Sequence, residues 1–361
     1  MRVAQLTYSY QPIIGGADAY TDLLCTTLRR RGHEIWVYQR AATADDPFVR
    51  AAPRWQARLR PRDFWLVPLW LRARRRELAQ MDVLIAHYPN YCRPAYFHPR
   101  LIGLSHGVTW DDAPGTWRSE RKKRLAEEAF ARCARYVAND TFFLREMGLD
   151  IAPGERPFEE VAPGRWFIPN CVDTNVFRPL TPSDDASRPA VIVVPRNFYR
   201  NRGVHLAVEA FGMIAGEFPE TEMHLVGAES QPAYAQAVRE RVAALGLGAR
   251  VRFAGSVAWQ HMPEVYSRAR LCLIPSLCGE GTSLAALEAM ACGTATITTD
   301  AGGLTDLPAV HCPPRADTLA GAIREVLPQW SDVAEAQRQK TVLQYSIDRW
   351  TKTWASVVED W

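Results

Sequence analysis

Long apolar runs are missing from this chain of 361 residues. No stretch approaches the roughly 20 consecutive apolar residues that a bilayer-spanning helix requires. Lysine is scarce: Lys122, Lys123, Lys340 and Lys352 are the only lysines among 43 basic residues. Genome composition explains an arginine bias as readily as function does. The formal net charge is only +3, so overall charge gives no argument for nucleic acid as a partner. Metal and disulfide frameworks are also missing. The eight cysteines (Cys25, Cys92, Cys133, Cys171, Cys272, Cys278, Cys292 and Cys312) form no C-x-x-C, and none stands at zinc-ligand spacing beside histidines. They are expected to be free thiols packed as small hydrophobes in a reducing compartment. The opening Met-Arg-Val-Ala-Gln-Leu-Thr-Tyr runs straight into a strand-like segment without the apolar core of a signal peptide, which points to the cytoplasm. No G-x-G-x-x-G follows the first strand of either half, and Gly246-Leu-Gly248 follows a helix instead, which argues against a nicotinamide-dependent oxidoreductase.

What is present is an ordinary globular composition, 47% hydrophobic and 23% charged, in a chain too long for one hydrophobic core. The first forty residues read as strand, loop, helix, strand. Val3 to Tyr8 is followed by the Gly15-Gly16 break, a helix through Leu23, Leu24 and Leu28 capped by Asp18, and a strand from Ile35 to Tyr38. Further strands are expected at 83–86, 101–105 and 136–138. The segment 178–189 is polar, proline-rich and non-periodic, which is linker chemistry. A second alternation then begins, with strands expected at 190–194, 223–226, 251–253, 271–275 and 295–299. Helices are expected near 204–218, 234–245 and 282–292. The aromatic, amphipathic tail 347–361 should pack rather than dangle. Two successive doubly wound α/β units place ligands at the carboxyl ends of their strands.

The segment richest in chemistry is Pro275-Ser-Leu-Cys-Gly-Glu-Gly-Thr-Ser-Leu-Ala-Ala-Leu-Glu-Ala-Met-Ala-Cys-Gly293. It leaves an apolar strand and opens a helix at about Thr282. A helix start offers unpaired N–H groups and partial positive charge, a seat for a diphosphate. Glu280 precedes the helix and Glu288 lies inside it, so at about 1.5 Å per residue the carboxylates are on the order of 10 Å apart. That is the reach of a nucleotide sugar, with hexose at one end, ribose at the other and phosphates between.

The E-x7-E spacing from Glu280 to Glu288, followed by Ala-Met-Ala-Cys-Gly293 and by Thr299-Asp-Ala-Gly-Gly303, resembles the signature of retaining family-four glycosyltransferases. Tyr10-Gln-Pro-Ile-Ile-Gly15-Gly16 resembles that family's glycine loop, whose backbone approaches the donor phosphates. Arg31-Gly-His33-Glu-Ile and Leu104-Ser-His106-Gly resemble its second-strand and active-site histidine segments, with His33 structural and His106 facing the reaction centre. Ile168-Pro-Asn-Cys-Val-Asp173 resembles its interdomain junction, with Cys171 in the usual glycine place. The resemblance implies a GT-B fold, two Rossmann-like doubly wound α/β domains facing a central cleft. Domain limits are expected at 1–175, with the helix 345–361 packing back on it, and at 176–344 for the donor domain.

By the same resemblance, Glu280 and His106 are the expected catalytic residues. Donor-binding residues are expected to be Glu288 on the ribose, Arg196, Gly15, Gly16 and the helix start Gly281, Thr282, Ser283 and Leu284. The chain departs from the family after the first strand of its second half. There Val194-Pro-Arg196-Asn-Phe-Tyr-Arg200-Asn201-Arg202-Gly203 keeps the arginine but lacks the lysine. Either Arg200 or Arg202 replaces it as a bidentate phosphate partner, or the clamp is weakened. Asp306 stands where many members have Glu. No isolated Asp-x-Asp metal motif is seen, and the pairs Asp111-Asp112 and Asp184-Asp185 lie in polar stretches, so neither metal nor cofactor is expected.

The implied reaction is transfer of a hexose, with retention, from a UDP- or GDP-sugar to a saccharide or lipid-linked acceptor in bacterial envelope polysaccharide, glycolipid or related glycoconjugate synthesis. No nucleic acid is expected. Two alternatives stay open: a non-catalytic sugar-nucleotide-binding module, and glycosylation of a small soluble metabolite. Between Arg50 and Arg76 nine arginines interleave with Trp55, Phe64, Trp65, Leu66, Leu69, Trp70 and Leu71, and Arg121-Lys-Lys-Arg124 adds a second basic run. This suits peripheral contact at the inner face of the cell membrane. Amphipathic helices with solvated arginines, broken at Pro61 and Pro68, are the competing reading.

Overall fold

In this computed structural model all residues are described except Pro12, Ile14, 41–45, 60–62 and 181–187, together with the side chains of Ala57, Asp63, Phe64 and Trp65. The chain divides into two units. One comprises Met1–Asn170 and Asp348–Trp361, the other Cys171–Ile347.

The first unit is built on an eight-stranded sheet. Its strands are β1 (Arg2–Leu6), β2 (Glu34–Gln39), β3 (Val49–Ala51), β4 (Val83–Ala86), β5 (Leu101–Ser105), β6 (Arg135–Ala138), β7 (Glu159–Ala162) and β8 (Arg165–Phe167). They lie in the order β3-β2-β1-β4-β5-β6-β8-β7, parallel throughout except that β7 runs against β8. Central strands such as Val-Leu-Ile-Ala in β4 are buried along their whole length, as a parallel sheet covered on both faces requires. The second unit repeats the plan with β9 (Val191–Pro195), β10 (Glu222–Val226), β11 (Val251–Gly255), β12 (Leu271–Ile274), β13 (Ala295–Thr299) and β14 (Val310–Cys312). Their order is β11-β10-β9-β12-β13-β14, with every pairing parallel. In both units the strand order reverses beside the first strand, at β1/β4 and at β9/β12. The crevice outside the carboxyl ends at such a reversal is where doubly wound sheets bind ligands.

The tail helix Ile347–Glu359 carries Trp350, Trp354, Val357 and Val358 on one face, all buried, and belongs to the first unit except for Ile347. Trp354 Nε1 donates to the Tyr20 hydroxyl at 2.8 Å, and Arg31 and His33 both donate to the Glu359 carboxylate. His33 is thus held in a structural contact.

Three local expectations need correction. The first helix runs Gly16–Arg30 with Gly15 as its N-cap, so Asp18 is the third helical residue rather than the cap. From there its carboxylate accepts the Gly15 N–H at 3.1 Å and the Ser9 hydroxyl at 2.5 Å, which still ties down the helix start. The helix after β12 begins at Leu284 with Ser283 as N-cap, two residues beyond Thr282. Pro68 does not break its segment: the helix Asp63–Ala73 runs through it, because Val67, Trp70 and Leu71 pack into the core of the first unit and outweigh the lost N–H bond. Pro61, Arg60 and Arg62 lie outside the described residues. The linker expected at 178–189 is described only at its two ends, and Asp184-Asp185 falls outside the described residues. All eight cysteines are free, and all but Cys278 are buried.

Candidate active site

In the second unit, the β9/β12 reversal gathers four charged or polar groups from two loops. The first loop leaves β9 with Arg196 and turns through Arg200–Arg202 to Gly203, where φ is +66°. A side chain at Gly203 would run into the Pro275 carbonyl oxygen, so close contact between the two loops requires glycine there. The second loop, Pro275–Glu280, is pinned through its backbone. Leu277 N–H donates to Asn201 O at 2.8 Å, Thr299 Oγ1 donates to Ser276 O at 2.5 Å, and Gly303 N–H donates to Glu280 O at 2.9 Å.

The result is a crowded carboxylate. Glu280 Oε1 accepts from Ser276 Oγ at 2.6 Å, lies 3.2 Å from Arg196 Nη2 and pairs with Arg202 Nη1. Glu280 Oε2 makes no hydrogen bond among the described residues. Burial alone would raise the Glu280 pKa, but Arg196, Arg202 and Ser276 outweigh it and hold the group below the usual carboxylate range. Arg196 also donates to the Ser283 hydroxyl at 3.2 Å, and its buried Nε has no partner among the described residues. Burial lowers the Arg196 pKa against the pull of Glu280. Gly281, Thr282 and Ser283 are buried around this cluster, and Leu284 opens the helix.

Glu288 lies in that helix. Trp259 Nε1 donates to its Oε1 and the Tyr266 hydroxyl to its Oε2, each at 3.1 Å. Burial pushes its pKa up to about 7 against those two hydrogen bonds. Trp259 is exposed and meets the Phe177 ring edge-on at 5.2 Å.

In the first unit, His106 follows β5 and His87 follows β4. A chain of hydrogen bonds fixes both rings. Gln5 Oε1 can only accept, so His87 Nε2 donates to it at 2.7 Å and His87 Nδ1 becomes an acceptor. His106 Nε2 then donates to His87 Nδ1 at 3.1 Å. This leaves His106 Nδ1 with a lone pair and no partner among the described residues. Burial keeps both rings neutral: it lowers the His106 pKa to about 4 and holds that of His87, with a smaller push from the neighbouring His106, well below the usual imidazole range. Both line a cavity of about 230 Å³. Gly15 and Gly16 stand at the β1 side of the same strand reversal, as N-cap and first residue of the following helix.

The structure thus brings Arg196, Arg202, Glu280 and Ser283 together, with Thr282 buried between the last two in the chain and Glu288 on the helix that Ser283 caps. It does not bring Arg200 to them: that side chain is exposed and makes no hydrogen bond among the described residues, while the backbone N–H donates to Gln231 Oε1 at 3.1 Å and the carbonyl accepts from Gly203 N–H. Arg202 is the arginine that faces Glu280. Sequence reasoning missed Gln5, His87, Ser276, Trp259 and Tyr266. His87 and Ser276 each stand just past the carboxyl end of a central strand, a positional signal that could have found them. Trp259 and Tyr266 gave none. Among the described residues no group of three metal-ligating side chains occurs, and no helix is long and apolar enough to cross a membrane.

Two doubly wound units of identical central strand order, with His87 beside the strand reversal of the first and the Glu280 cluster at that of the second, define the GT-B architecture. Residues 14–152 match the family model described as Glycosyltransferase Family 4, and residues 188–329 match that described as Glycosyl transferases group 1. The chain belongs to the GT-B glycosyltransferases. It is 34% identical over 152 residues to mannosylfructose-phosphate synthase of Agrobacterium fabrum, an alignment covering 38% of this chain and about a third (33%) of that protein. Among solved structures it resembles sucrose-phosphate synthase from Thermosynechococcus elongatus, with a TM-score of 0.79, 18% identity, and 99% and 98% of the two chains covered. It also resembles Anabaena HepE in complex with UDP and glucose, with a TM-score of 0.75, 18% identity and both chains fully covered (100%).

Proposed function

We propose that this protein transfers a hexosyl group from a UDP- or GDP-hexose to an acceptor hydroxyl, with retention at the anomeric carbon and without a metal ion. The observation that carries this reading is the Glu280 carboxylate. It is ionised, one oxygen is saturated by Ser276, Arg196 and Arg202, and the other is left for a ligand. Such a group can accept hydrogen bonds from sugar hydroxyls and stabilise an oxocarbenium-like transition state. Arg196 and Arg202 supply the positive charge that a departing diphosphate needs, Arg202 standing in for the missing lysine. Thr282, Ser283 and the helix start at Leu284 receive phosphate oxygens, Glu288 accepts the ribose hydroxyls, and the Gly15-Gly16 backbone approaches the diphosphate.

In the reaction, the bond between the anomeric carbon and the diphosphate oxygen breaks, its electron pair leaving with the diphosphate. The acceptor oxygen bonds to the same face of the sugar, and its proton passes to the departing phosphate. His106 Nδ1 is a hydrogen-bond acceptor at this stage. The acceptor is a saccharide or lipid-linked alcohol of envelope or glycoconjugate synthesis. Exposed Trp55, Leu69 and Trp117 among arginines are consistent with work at the inner membrane face. The reading is tested by nucleoside diphosphate release from a panel of UDP- and GDP-hexoses in excess EDTA. Turnover should persist in chelator and collapse in Glu280→Ala; loss in chelator that Mg²⁺ restores would overturn the metal-free part.

A further inference from the structure

The cavity beside His106 has a chemical character of its own. Its lining joins His87 and His106 to the apolar faces of Tyr88, Pro89, Trp110, Leu125 and Phe143, with Asn90, Ser105 and Thr109 as the smaller polar part. Among the described residues that line it, the only cation, Lys122, is already engaged: Nζ donates to Thr109 O at 2.5 Å and lies 3.6 Å from Asp112 Oδ1. A bare sugar seated here would meet mostly apolar surface, and each hydroxyl left unpaired costs about 1–3 kcal/mol. An apolar cavity of about 150 Å³ accepts a benzene ring, so about 230 Å³ holds a ring or a short alkyl chain. At one end stands a fixed acceptor, His106 Nδ1, the nitrogen that the Gln5–His87 chain leaves unprotonated.

We propose that this cavity binds the acceptor, and that the acceptor is an alcohol carrying an apolar group. The hydroxyl or a neighbouring one donates to His106 Nδ1, and the apolar group lies against Trp110, Leu125 and Phe143. This rests on the glycosyl-transfer reading and adds to it the class of acceptor. Two sources share that chemistry, a lipid chain and an aryl group, and the experiment separates them.

The full chain, saturated with UDP, is titrated calorimetrically with methyl, hexyl and phenyl β-glucoside. Each seated methylene should gain about fourfold in affinity, so the hexyl or phenyl compound should bind at least about tenfold more tightly than the methyl one. Hexyl above phenyl assigns a lipid-like group, and phenyl above hexyl an aryl group. Leu125→Trp fills the cavity and should erase the gain, while Leu125→Ala should extend it to longer chains. A thermal midpoint close to that of wild type reports that the first unit of each variant is folded, and unchanged UDP affinity reports the same for the second. Equal affinities for the three glucosides, or a gain surviving in folded Leu125→Trp, overturn the proposal. Failure to bind UDP at all would instead strike the donor reading.

Discussion

Replacing Glu288 by glutamine separates the electrostatic cost of that carboxylate from its use. Burial raises its pKa from 4.5 to about 7. The folded protein therefore holds a proton between pH 4.5 and 7 that the unfolded chain has released. Stability from this group is present below pH 4.5, falls as pH rises through that window, and above about 7 the whole penalty applies. At about 1.4 kcal/mol per pKa unit, the penalty is about 3 kcal/mol. Glutamine removes it while retaining a carbonyl oxygen for Trp259 or Tyr266. Glu288→Gln should therefore be more stable than wild type by about 2–3 kcal/mol at pH 8 and nearly equal to it at pH 5. Urea unfolding across pH 5 to 8 measures this. The same substitution should weaken UDP binding by about 1.5–3 kcal/mol above pH 7, the value of a hydrogen bond to a charged group. Wild-type UDP affinity should fall as pH drops below 7, and the variant's should not. Parallel pH profiles of stability for the two proteins would refute the reasoning, because a surface carboxylate would behave that way.

Arg196→Ala and Arg202→Ala should each lower kcat/KM on the order of 10²-fold or more, whereas Arg200→Ala should stay within a few-fold of wild type; equal sensitivity of Arg200 and Arg202 would dissolve the assignment. Gly203→Ala places a side chain against the Pro275 carbonyl at positive φ, so it should destabilise the second unit by more than about 1 kcal/mol, seen as a lowered thermal midpoint. The protein should sediment with phosphatidylglycerol vesicles at low salt and release at high salt, and Trp55→Ser with Leu69→Ser should weaken that; protein left in the supernatant at low salt would favour solvated helices.

The fold was legible where the sequence carries long buried patterns. The segments Val83–Ala86, Leu101–Ser105 and Leu271–Ile274 are largely apolar runs, Ala295–Thr299 is rich in β-branched residues, and each is a buried inner strand. The strands not anticipated, β3, β7, β8 and β14, are three or four residues long and sit at or near sheet edges. There pairing with a neighbour, not local pattern, decides the conformation. Asp18 and Pro68 misled for related reasons. A capping residue can act from the third helical position as well as from the cap, and tertiary packing can carry a helix through proline. The second-unit cluster was readable because its residues crowd into two short loops. The Gln5–His87–His106 chain was not, because its members are separated by 82 and 19 positions and meet only through the sheet. Nor could spacing tell Arg200 from Arg202; the 3₁₀ turn Arg200–Arg202 sets Arg202 against Glu280 and leaves Arg200 exposed.

The central claim, transfer with retention by the Glu280 cluster, is tested most directly by proton NMR of the glycoside formed from an α-configured UDP- or GDP-hexose. Wild type and Arg200→Ala should yield an α-glycoside, and Glu280→Ala and Arg196→Ala should form it slower on the order of 10²-fold or more. A β-glycoside, or an α-glycoside formed equally well without Glu280, would contradict it.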